Sequence, residues 1–172
     1  MVREDLIGKC GIEREYFFDK SIYLEYFHNN GIIEGTLKKY IKVFANKDST
    51  DYYLSSETPF INGDKNGTGI KYNLFDEPHI WLEYVNDELI SLKSYFKDKD
   101  GNNNYFKFYF YNDMVPAKLE INDISFDLNF SGLIVRTEFK HDNMCFQIIF
   151  KDDSLQFYWN ERCKVFDMSE FF

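Results

Sequence analysis

From about residue 80 to the end of the chain, apolar and polar positions alternate with a period of two. Ile124, Phe126, Leu128 and Phe130 alternate with Ser125, Asp127 and Asn129; Leu133, Val135, Thr137 and Phe139 alternate with Ile134, Arg136, Glu138 and Lys140. Met144, Phe146, Ile148 and Phe150 continue the pattern, and Leu155, Phe157 and Trp159 follow. One apolar face against a mostly polar one is the mark of antiparallel strands covered on one side. Asn86-Asp87, Asp100-Gly101, Asn112-Asp113, Asn122-Asp123, Ser131-Gly132, Asp142-Asn143 and Asp152-Asp153 fall between the runs. Residues that tolerate positive φ or cap their own backbone belong there. A turn about every ten residues leaves no room for crossover helices, so sequence neighbours pair and the chain meanders. Residues 104–111 are aromatic on both faces, which fits either a strand covered twice or a wet tyrosine face.

The N-terminal third is ambiguous. Ile12, Tyr16, Phe17, Tyr23, Leu24 and Phe27 recur at helical spacing, yet the wealth of Ile, Tyr and Phe favours strands. The reading adopted is a helix over about residues 3–18, then a hairpin of Ser21–Phe27 and Ile32–Phe44 joined at Asn29-Asn30-Gly31. Residues 45–70, rich in Asn, Asp, Ser, Thr and Gly, predict a long loop around one short strand, Tyr52–Ser55. The expected fold is mainly β: one domain over residues 1–172, an antiparallel up-and-down meander forming a strongly curved sheet or barrel, with a minor N-terminal helical element.

Composition narrows the class. Of 172 residues, 20% are aromatic, only 9 are Gly and 3 are Pro, which excludes a disordered or collagen-like chain. Cys10, Cys145 and Cys163 are an odd set without close spacing and predict reduced thiols in a cytoplasm. The first ten residues carry acids and no long apolar run, and no stretch suits a membrane helix, so neither signal peptide nor membrane is expected. Lys, Asn, Ile, Phe and Tyr are abundant while Ala is scarce, as in an A/T-rich coding sequence of bacterial or phage origin.

The net charge is −9 and its distribution is uneven. Residues 50–92 hold eight acids against Lys65 and Lys71, whereas residues 1–49 are neutral. Such a surface repels nucleic acid and attracts a basic protein.

Candidate chemistry is sparse. Asn62-Gly63-Asp64-Lys65-Asn66-Gly67 resembles the start of a calcium loop, but position twelve is Asn73 where a bidentate Glu is needed. His141 and Cys145 share a strand face about 13 Å apart, too far to hold one zinc ion. Adjacent acids in predicted turns are solvated rather than buried or closely coupled, and make poor acid–base pairs. No catalytic residue, metal ligand or cofactor is therefore expected.

The segment Asp76-Glu77-Pro78-His79-Ile80-Trp81-Leu82-Glu83-Tyr84 joins acids to two aromatics inside the acidic quarter. Trp and Tyr anchor interfaces, and surrounding carboxylates steer a basic partner. The predicted interface is Asp76, Glu77, Trp81, Glu83, Tyr84, Asp87 and Glu88. The expected function is a non-catalytic acidic cytoplasmic binding protein, an immunity protein or antitoxin that neutralises a basic protein toxin. The alternative is an intracellular β-barrel that binds a small apolar ligand.

Overall fold

Paired left-handed residues steer the chain. Asn30-Gly31, Asn62-Gly63, Asn86-Asp87 and Asn122-Asp123 all have positive φ at both positions, the two-residue turn whose twist matches that of its flanking strands. The computed structural model describes residues 3–46, 49–97, 100–111, 115–128, 135–141, 144–151, 154–159 and 162–168. The predicted turns at Asn112-Asp113, Ser131-Gly132, Asp142-Asn143 and Asp152-Asp153, and the Cys145 side chain, lie outside what is described.

The chain divides into two compact units, Met1–Glu88 and Leu89–Phe172. The first contains β1 (Cys10–Tyr16), β2 (Ile22–Asn29), β3 (Ile32–Asn46), β4 (Ser49–Ile61), β5 (Asp64–Lys65), β6 (Gly67–Tyr72) and β7 (Pro78–Val85). These form an antiparallel meander in the order β1-β2-β3-β4-β6-β7, with the short β5 paired on β4. Leu6, Tyr26, Ile33 and Phe60 form its core, with Leu24 and Leu37 packed against them. The Arg3 amide donates to the Gly31 carbonyl at 2.8 Å, and the Arg3 guanidinium donates to Tyr26 Oη at 2.9 Å and to Glu15. This anchor lays Leu6 over the sheet.

In the second unit, β8 (Glu88–Lys97), β9 (Asn103–Phe110), β10 (Pro116–Ile121) and β11 (Ile124–Asp127) pair in chain order, all antiparallel. A separate antiparallel sheet follows: β12 (Val135–His141), β13 (Met144–Lys151), β14 (Ser154–Trp159) and β15 (Arg162–Asp167). The two sheets pack through aromatic rings. Phe106 on β9 lies 4.4 Å from Phe157 on β14, and Phe157 also meets Phe96, Phe108 and Trp159 at 6.0, 5.9 and 5.7 Å.

The expected mainly β antiparallel meander is present, while two finer expectations need correction. No sheet closes into a barrel: among the described residues β1 pairs with β2, and β11 pairs with β10, without a closing partner for either. The aromatic excess that would line a lumen instead fills the space between two sheets of the second unit, where ring-to-ring packing gains more than an empty cavity could. The N-terminal helical element reduces to one three-residue 3-10 turn, Glu4–Leu6. Ile12 and Tyr16, read as a helical stripe, are both exposed on β1 and pair across to Phe27 and Ile22. Their spacing matched a helix without marking a buried face.

The described residues 49–70 hold more strand than expected. β3 and β4 run as a long hairpin, whose Ser, Thr, Tyr and Glu residues satisfy a strand covered only partially on each face.

Candidate functional site

β7 alternates cleanly. Ile80, Leu82 and Tyr84 are buried, whereas Trp81 is half-buried and Glu83 exposed on the opposite face. Tyr84 turns inward because Gly67 lies directly opposite it on β6 and because Gly69, opposite Leu82, leaves room: a Cβ on Gly69 would stand 3.3 Å from Tyr84 Cε2. The Tyr84 ring is 4% exposed with the Lys65 ammonium 5.3 Å from its centroid, and burial pushes its hydroxyl up to about 12. Burial likewise lowers the pKa of Lys65.

The seven sequence-selected residues thus divide among four places. Trp81 and Glu83 share the outer face of β7, beside Ile70 and Thr68 of β6. Asp76 and Glu77 lie in the turn before β7, while Asp87 and Glu88 lie in and just after the turn that follows it, about 30 Å away at roughly 3.3 Å per residue. Tyr84 belongs to the core. Asp87 also braces the fold, because its carboxylate accepts the Lys65 amide at 2.7 Å and its own amide donates back to the Lys65 carbonyl at 3.0 Å.

The turn that holds Asp76 and Glu77 has a counterpart that sequence reasoning missed. In Asn73–Glu77 the first amide donates to the fifth carbonyl (3.0 Å), the fourth amide donates to the first carbonyl (3.2 Å), and the fourth residue, Asp76, has φ 57°. Residues 17–21 repeat this: Phe17 N to Ser21 O at 2.8 Å, Lys20 N to Phe17 O at 2.9 Å, and Lys20 at φ 69°. This is a tight turn closed by a left-handed residue, the common three-residue hairpin loop.

Each loop is held by side chains. Asn73 Oδ1 accepts from the amides of Phe75 and Glu77 at 2.8 and 3.1 Å. Asp19 accepts from Ser21 Oγ, the Ser21 amide, Tyr52 Oη and Lys42 Nζ, and these donors hold its carboxyl well below the usual carboxylate range, Lys42 contributing most. Phe17 packs on Tyr23 and Tyr52 at 5.1 and 6.2 Å.

The corners of both loops carry large apolar side chains in solvent: Phe18 is 108% exposed, Phe75 82% and Leu74 48%. Polar residues normally fill such corners. In register the loops read Phe17-Phe18-Asp19-Lys20-Ser21 and Asn73-Leu74-Phe75-Asp76-Glu77, which share little beyond the apolar residue at the second position, so the match is one of backbone geometry and not of sequence.

In the second unit, β9 has a buried Phe face (Phe106, Phe108, Phe110) and a half-buried Tyr face. Tyr105 and Tyr109 donate to the two oxygens of Glu120 at 2.9 Å each. The Lys93 ammonium sits 4.1 Å from the Tyr105 centroid, and those of Lys107 and Lys118 sit 4.9 and 5.0 Å from that of Tyr109. Behind this face, the Lys164 ammonium donates to the fully buried Ser94 hydroxyl, and burial lowers the Lys164 pKa.

Among the described residues, no group of three or more His, Cys, Asp or Glu is placed to hold a metal ion, and no helix is long and apolar enough to cross a membrane. No protein-family model, curated protein or solved structure matches the chain.

Proposed function

We propose that the chain is a non-catalytic binding protein of the bacterial cytoplasm that neutralises a basic protein partner, as an immunity protein or antitoxin blocks a toxin. The observation that carries this reading is the first unit's surface: sixteen acids stand against ten bases over residues 1–88, and Asp76, Glu77, Glu83 and Glu88 are all exposed along β7 and its flanking turns. Half-buried Trp81 supplies an aromatic anchor on the same strand. Carboxylates around an aromatic anchor raise the encounter rate with a cationic protein and fix its register.

Binding of a small apolar ligand inside a barrel draws no support from the fold. The aromatic residues that such a carrier would need are packed on one another in the second unit.

The test is capture of a partner by the full chain from its host at low ionic strength, followed by a growth assay with the partner expressed alone and together with this protein. A specific basic protein that is toxic alone and harmless when co-expressed is the expected result. Recovery of acidic or neutral proteins only, or toxicity unchanged by co-expression, would contradict the reading.

A further inference from the structure

We infer that the basic partner docks on one end of the first unit, where the two matched turns hold Phe18, Leu74 and Phe75 in solvent beside Asp51, Asp76 and Glu77. The inference rests on the proposed function and locates its contact surface.

Topology places the turns together. β1, β3 and β6 run one way and β2, β4 and β7 the other, so the loops at 17–21 and 73–77 emerge at the same end of the sheet, on either side of the β3–β4 hairpin. The hairpin reaches the first loop directly, where Tyr52 donates to Asp19. Four strand spacings separate the loops, about 19 Å at roughly 4.8 Å each, a span that one partner of ordinary interface size covers.

The apolar corners are not incidental to a floppy loop. Asp19 and Asn73 lock their loops through side-chain hydrogen bonds, and Phe17 packs its half-buried ring on Tyr23 while Phe18 stays exposed. Exposed aromatics on a fixed backbone have few rotatable bonds to immobilise on contact and present large area, which is what interface anchors do.

Charge selects the occupant. Asp51, Asp76 and Glu77 are exposed against one exposed base of the two loops, Lys20, and such a net anionic rim repels the phosphates of nucleic acid, anionic lipid headgroups and a second copy of the same end. The surface that remains complementary is apolar at its centre and ringed by Lys or Arg.

The experiment maps amide chemical shifts of the full-length protein titrated with a synthetic peptide alternating Lys and Leu, with a Glu and Leu peptide as control. Shifts confined to residues 17–21, 51–53 and 73–77, absent with the acidic control and weakened about tenfold or more by Phe18→Ser with Phe75→Ser, are expected. Both side chains are exposed, so thermal unfolding of this variant should match that of the unmodified protein. Shifts centred on Glu83–Glu88 or spread over every acidic face would overturn the assigned surface and leave the basic-partner reading standing. No binding of the cationic peptide at low salt would overturn both.

Discussion

Replacing Phe157 by Ala should be among the most damaging single changes in the second unit. The ring has no solvent exposure and meets four other aromatic rings, the nearest, Phe106, at a centroid distance of 4.4 Å. Truncating a buried Phe to Ala costs about 3–5 kcal/mol through lost transfer energy and the cavity left behind. Contact with rings from both sheets keeps Phe157 off the lower end of that range, at about 4 kcal/mol, because neither sheet can collapse into the gap without losing its other contacts. With a urea dependence of about 2 kcal/mol per molar, the unfolding midpoint should fall by about 2 M. Fluorescence of Trp159, stacked on Phe157 at 5.7 Å and largely buried, reports the transition directly in a Trp81→Phe background. A double-mutant cycle of Phe106→Leu and Phe157→Leu should give a coupling of about 0.5–1.5 kcal/mol. Val165, 59% exposed on the outer side of β15, is the control, and its change to Ala should stay within about 0.5 kcal/mol. A loss below about 1 kcal/mol at Phe157, or no coupling to Phe106, would refute aromatic packing between the two sheets.

Other outcomes follow from single contacts. Gly31→Ala should destabilise more than Gly101→Ala: both have positive φ, which costs about 1–2 kcal/mol for a side chain, but only at Gly31 would the new Cβ meet backbone, Arg3 O at 2.5 Å, as thermal unfolding of the two variants will show. Lys164 has its folded-state pKa lowered from 10.5 by burial, so the unfolded chain holds the proton more tightly and stability rises with pH between the two values. Lys164→Met should remove that alkaline gain, seen as a flatter difference in chemical stability as pH approaches 10.5. Asp19 is displaced in the other direction from its ordinary 3.8, so its stabilisation is complete above that value and is lost as pH falls toward the lowered one. Acid titration should therefore show Asp19→Asn less stable than the unmodified protein at neutral pH, with the difference closing at low pH.

Much of the fold was legible because local chemistry and tertiary structure agree. Asn30-Gly31, Asn86-Asp87 and Asn122-Asp123 are turns in both sequence and structure, since both residues of each accept positive φ. Alternation predicted a strand where one face is core, as in β14. The pattern failed where neither face is fully buried. β1 exposes Ile12 and Tyr16, so apolar spacing there carried no information about burial, and β4 hid as a loop because Ser, Thr and Glu serve a half-covered strand. The candidate interface was legible as composition and not as geometry. Alternation alone would have put Tyr84 on the inner face opposite Trp81, but the joining of Phe18 to Phe75 at one end depends on strand order across β1 to β7, which no local pattern encodes.

Steering of a basic protein by exposed carboxylates of the first unit is tested most directly by association kinetics with the captured partner as ionic strength rises. The variant carries Asp76→Lys, Glu77→Lys and Glu83→Lys; Asp87 is left intact because its carboxylate holds the Lys65 amide. Lys at position 76 suits the turn, since Lys20 occupies the same left-handed place in the matched loop. The association rate should fall steeply with salt for the unmodified protein, be about tenfold or more slower for the variant at low salt, and converge between them at high salt. Equal rates for the two proteins, insensitive to salt, would contradict electrostatic steering by this surface.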